Sequence, residues 1–141
     1  MRVRLIGYWR EERDDRLPDP RDLVDETWDE RERSLVAAYL EEGFRPWACA
    51  GYSHCRFCGK ANGCAEVTDG VYLWPEGLAH YVREHSVRLP DDVLDHIKHR
   101  RDQPSALNDV GNLQATYRGF SSLQVDRAWW PIVASLENRE K

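Results

Sequence analysis

His54-Cys55-Arg56-Phe57-Cys58-Gly59-Lys60 is the stretch on which the reading of this chain turns. Two residues between the cysteines let both thiolates reach one metal ion from a tight turn. Gly59 follows directly, where a left-handed backbone conformation is often needed. Structural zinc sites fill four tetrahedral positions with cysteine and histidine. The chain supplies a second pair downstream, His80 and His85, after 21 residues counted from Cys58. The expected metal ligands are therefore Cys55, Cys58, His80 and His85, with zinc as the expected cofactor.

The segment between the pairs has its own pattern. Residues 65–74 read as a hairpin, with Asp69-Gly70 as a two-residue turn. Pro75 fits the first position of a helix, and Glu76 complements its dipole. That helix carries Leu78, His80, Tyr81, Val82 and His85. Knuckle, hairpin and helix together form a metal-binding unit over about residues 49–86. On an ideal helix, at about 100° per residue, positions five apart lie about 140° apart. His80 and His85 can share a metal only if the last turn is distorted near Ser86. Otherwise Glu84 or a water takes the place of His85. His85 is preferred, because structural sites with two thiolates rarely take a carboxylate.

Outward from this unit, residues 2–9 look like a first strand, and a charged, proline-bearing loop runs from Arg10 to Pro20. Residues 21–42 read as helix, possible in two pieces, with Trp28, Leu35, Val36, Tyr39 and Leu40 at helical spacing and Gly43 as a stop. Asp29-Glu30-Arg31-Glu32-Arg33 reads as a solvated helix face. Residues 44–64 read as loop and tight turns. A further helix starts at Pro90, buries Val93, Leu94 and Ile97, and ends on Lys98, His99, Arg100 and Arg101, the charge order its dipole favours. Residues 102–112 read as loop and 113–118 as a strand. Pro131 is expected to interrupt any long helix in the tail. The fold class expected is α+β: one domain over 1–141, a short antiparallel sheet, about three helices and the embedded knuckle–hairpin–helix unit. Metal binding would add on the order of 10 kcal/mol of apparent free energy to folding.

Other chemistry was weighed against the metal site. A redox Cys-x-x-Cys normally opens a helix, but turn residues follow Cys58 here. Cys49 and Cys64 could join Cys55 and Cys58 in an all-thiolate zinc or iron–sulfur site, or be small buried apolar residues. The two histidines could be ordinary core or surface residues. Asp92, Asp95, His96 and His99 share one helix and could hold a second metal, but a polar helix face with a basic end is the preferred reading. No His-x-Glu precedes Cys55, so a zinc deaminase is rejected. His-Glu-x-x-His, Gly-x-Ser-x-Gly and P-loop motifs are absent. Trp47, Tyr52, Tyr72, Trp74, Tyr81, Trp129 and Trp130 are expected in the core; several exposed together would mark a binding surface.

The formal net charge is −5 over 141 residues. No segment is strongly basic, which argues against a duplex-binding protein, because such binding draws on neutralised phosphates. There is no apolar run of membrane-spanning length and no secretory leader, so a cytoplasmic location is expected.

Cys55-Arg56-Phe57-Cys58-Gly59 followed by Thr68-Asp69-Gly70-Val71-Tyr72-Leu73-Trp74-Pro75-Glu76-Gly77-Leu78-Ala79-His80-Tyr81-Val82 and His85 resembles a group of small uncharacterised bacterial proteins. Ile6-Gly7-Tyr8-Trp9 and Leu17-Pro18-Asp19-Pro20 are similar to the same group. The resemblance implies a bacterial cytosolic protein and brings no activity with it. Over residues 55–85 the order also resembles zinc fingers with two cysteines and two histidines, although the segment between the pairs is longer than theirs. These features favour a non-enzymatic binding, adaptor or regulatory protein, possible in an immunity-type role, with structural zinc and another protein as partner. The alternatives are a zinc-dependent hydrolase with an open coordination position and a nucleic-acid-binding finger protein.

Overall fold

The computed structural model describes residues 2–46, 52–102 and 124–139. Strand β1 (Arg2–Leu5) alternates exposed arginines with buried Val3 and Leu5, the period of a half-buried strand. It is shorter than the expected 2–9, because Gly7 takes a positive φ of 77° and turns the chain away. A 3-10 turn at Pro20–Leu23 and helix α1 (Glu30–Glu41) replace the expected helix over 21–42. Two carboxylates set that break. Asp25 binds the Thr27 N–H and hydroxyl, and Asp29 caps α1 by accepting from the Glu32 N–H at 2.9 Å.

The hairpin forms from β2 (Glu66–Thr68) and β3 (Tyr72–Pro75), paired antiparallel with Thr68 opposite Leu73. Its turn is longer than the two residues expected. The Asp69 carboxylate takes the Val71 and Tyr72 N–H groups, both at 2.9 Å, so the loop closes on a side chain as well as on the backbone. Pro75 ends β3 rather than opening a helix. Helix α2 (Leu78–His85) starts three residues later, after Gly77. Helix α3 (Asp91–Arg101) buries Val93, Leu94 and Ile97 as expected.

Near the end of the chain, β4 (Gln124–Asp126) and α4 (Trp129–Arg139) follow one another. The sequence reading did not find β4, and the expected strand over 113–118 lies outside the described residues. Pro131 does not interrupt α4. It sits in the first turn, where an N–H would have no intrahelical partner, so the helix runs through it.

The four strands make one mixed sheet in the order β2-β3-β1-β4. Strand β1 pairs in parallel with both β3 and β4, so the sheet is antiparallel only at the hairpin. With four α-helices among the described residues, the class is α+β. Val3, Leu5 and Leu73 form a small cluster on one side. Tyr72 and Trp74 join the larger core with Val36 and Leu40 of α1, Leu78 and Val82 of α2, Leu94 of α3 and Trp130 of α4. Two indoles are also polar ties: Trp74 donates to the Leu40 carbonyl at 3.1 Å and Trp130 to that of Tyr8 at 2.8 Å. Of the aromatics expected in the core, Tyr72, Trp74, Tyr81 and Trp130 are buried, Tyr52 is 77% exposed, and Trp47 lies outside the described residues.

Candidate metal centre

The knuckle is a turn built from backbone bonds. The Gly59 N–H donates to the Cys55 carbonyl at 2.8 Å, and the Cys55 N–H donates to that of Lys60 at 2.9 Å. Gly59 adopts φ 73° in open space, so the requirement for glycine there is conformational rather than steric. Below the turn, Ser53 and Gly63 draw the two arms together.

The fold then brings this turn against α2. A Cβ on Gly77 would lie 2.4 Å from the Asn62 side chain, so the arm runs directly over the start of the helix. Glu76 joins the same two segments by accepting the Cys64 N–H at 2.6 Å. From the other side, the Arg21 guanidinium donates to the Arg56 carbonyl at 3.1 Å and lies 5.5 Å above the Phe57 ring.

The ligand atoms of Cys55, Cys58, His80 and His85 lie within 4.8 Å of one another, and the four could hold a metal ion. Cys58 Sγ is 3.3 Å from His80 Nε2. Bonds of about 2.0–2.3 Å in a tetrahedron put ligand atoms roughly 3.3–3.8 Å apart, so the cluster has the dimensions of one site. The two imidazoles are 5.0 Å apart and inclined at 73°, so they approach from different directions. His85 stacks on Phe57 at 4.7 Å, and its buried Nε2 has no hydrogen-bond partner. Native interiors seldom leave such an atom unpaired, and a metal ion is the partner this cluster provides for. Burial, then the neighbouring His80, pushes the His85 ring below the ordinary histidine range, towards the neutral form a ligand must have.

The helix end resolves the angular difficulty. Ser86 is left-handed, with φ 55° and ψ 29°, and its N–H reaches the Tyr81 carbonyl five residues back. The turn is wide, of the π type, so a residue five positions on swings back towards His80. Arg33 of α1 anchors this end by donating to the Ser86 hydroxyl at 2.6 Å. Glu84 is exposed and outside the cluster.

Cys64 is half-buried and disulfide-bonded, so it is neither a fifth candidate ligand nor a simple apolar residue, while Cys55 and Cys58 are free thiols. Cys49 lies outside the described residues. The set on α3 does not converge: His96 turns to Asp69, with Nε2 2.7 Å from Oδ2, while Asp92, Asp95 and His99 stay exposed. Among the described residues the two-cysteine, two-histidine cluster is the one such grouping.

Tyr81 is the functional residue that sequence reading missed. Its hydroxyl accepts the Arg56 N–H at 2.9 Å and so ties the knuckle, beside Cys55, to α2. Its place next to His80 on an apolar helix face gave no sign of this role. Comparison with known proteins finds no family, no curated protein and no solved structure that matches this chain.

Proposed function

We propose that Cys55, Cys58, His80 and His85 bind a single zinc ion as a closed structural site, and that the protein is a non-enzymatic binding or regulatory protein. The observation that carries this reading is the completeness of the donor set: four side chains converge, and one of them, His85, carries a buried Nε2 without a hydrogen-bond partner. Two thiolates with two neutral imidazoles suit zinc in particular. A hydrolase would keep one coordination position for water, whereas the convergence of a fourth side chain supports a closed site. The zinc then joins the knuckle to α2 and presents Tyr52, Arg56 and Lys60 at the surface, facing a protein partner.

Elemental analysis with X-ray absorption tests this. One zinc per chain with two sulfur and two nitrogen neighbours is expected. A water oxygen in the first shell, with one imidazole missing, would transfer the weight to the hydrolase. Salt-sensitive capture of DNA or RNA would favour the finger-protein alternative. Among the described residues no helix is long and apolar enough to cross a membrane.

A further inference from the structure

The two thiolates of the cluster occupy opposite environments. Cys55 is 3% exposed, and its sulfur accepts the Phe57 N–H at 3.4 Å. Cys58 is exposed, and its sulfur stands 3.3 Å from His80 Nε2, a fellow member of the cluster. Hydrogen bonds to a thiolate draw electron density from sulfur and weaken it as a nucleophile, while burial bars access. One ligand is therefore shielded twice over and the other is open. We propose that Cys58 is the reactive thiolate of the centre, where a hydroperoxide oxidises the site and drives out its metal. This rests on the zinc reading above.

The chemistry balances within the cluster. The Cys58 sulfur attacks one peroxide oxygen; an S–O bond forms, the O–O bond breaks, and the departing hydroxide takes a proton to become water. Cys58 is then a sulfenic acid and a poor ligand. The Cys55 thiolate, two residues away along the turn, attacks the Cys58 sulfur; an S–S bond forms and a second water leaves. The two thiolates together lose two electrons, the hydroperoxide gains them, and zinc departs from a site with two imidazoles left. The turn that holds the thiolates on one ion also holds them within reach of each other, so the closed site is convertible to a disulfide.

The test uses the full chain loaded with zinc. Less than one equivalent of hydrogen peroxide, or of N-ethylmaleimide in a parallel sample, is added; zinc release is followed with a chromogenic chelator and the modified cysteines are mapped by mass spectrometry. N-ethylmaleimide is expected on Cys58 over Cys55 by about tenfold, the ratio that a hydrogen bond on sulfur can produce. Zinc release is expected to follow Cys58 modification one for one, with peroxide yielding the Cys55–Cys58 disulfide. Equal labelling, Cys55 labelled first, or zinc retained after Cys58 is fully modified overturns the proposal, and the labelling ratio is read on the natural sequence, so no variant has to fold. A chain that takes up no zinc fails earlier, on the metal reading itself, and takes this proposal with it.

Discussion

At the scale of single residues, His85 and Glu84 are neighbours with opposite fates. Glu84 stands on the face that an ideal helix would offer, yet it is solvated; His85 turns inward at a distorted helix end. His85→Ala is expected to lower zinc affinity by more than the roughly 10–100-fold that follows loss of an outer-shell contact, while Glu84→Gln leaves it unchanged. Competition titration against a chelator of known affinity measures both, and equal losses would remove His85 from the ligand set. Gly59 offers a second residue-level check. Gly59→Ala meets no steric obstacle but must hold φ near 73°, at a cost of about 1–2 kcal/mol. That change should be visible in a urea titration of the zinc-loaded protein.

At the scale of elements, Asp69 ties three of them together. It is 7% exposed, and beyond closing the β2–β3 turn it accepts from Tyr39 of α1 at 2.5 Å and stands 2.7 Å from His96 of α3. Arg100 of α3 adds a bond to its carbonyl at 2.9 Å. Burial works to raise the Asp69 carboxyl, but the bonds from His96, Tyr39 and the Tyr72 backbone outweigh it and hold the group below the ordinary aspartate range. A depressed carboxylate contributes stability that is present above the unfolded value of about 3.9 and lost as pH falls through the folded value. Asp25, the half-buried partner of Arg88, behaves alike: hydrogen bonds from Thr27 and then Arg88 bring it down to about 2. Stability is therefore expected to fall between about pH 4 and 2. Asp69→Asn should flatten that fall and cost about 1–3 kcal/mol at neutral pH, because a neutral amide cannot accept the same set of bonds. A pH series of denaturant midpoints would show it, and a variant with an unaltered acid limb would refute the assignment.

At the scale of the whole molecule, the core and the metal centre overlap only slightly. Cys55 lies in the main core cluster and Phe57 packs on it, but the remaining members come from the sheet, the helices and the segments that join them. Metal is thus expected to fix the knuckle more than to sustain the fold. Chelation should leave helical circular dichroism nearly unchanged while amides of residues 53–62 lose protection in hydrogen exchange. Global unfolding on chelation would instead place the site among domains whose folding energy is mostly metal binding.

Two kinds of information separate cleanly in this protein. Local chemistry was legible in the residues: the two-residue cysteine spacing, the glycine that follows it, the apolar periods of α1 and α3, and the hairpin between the metal-binding pairs. Each depends on neighbours in the chain, so sequence carries it. Sequence by itself thereby determined the α+β class and the four residues that the fold brings together. Tertiary structure decided the rest. It set the parallel pairing of β1 with β3 and β4, because pairing across 60 or more residues leaves no local trace. It ran α4 through Pro131, since the first turn needs no N–H there. It widened the end of α2 through the Ser86 contact with Arg33, supplied by a helix some fifty residues earlier. His85 is a candidate ligand by its spacing, but its convergence with His80 is a property of a helix end that closes on a left-handed serine, which a distant arginine contacts.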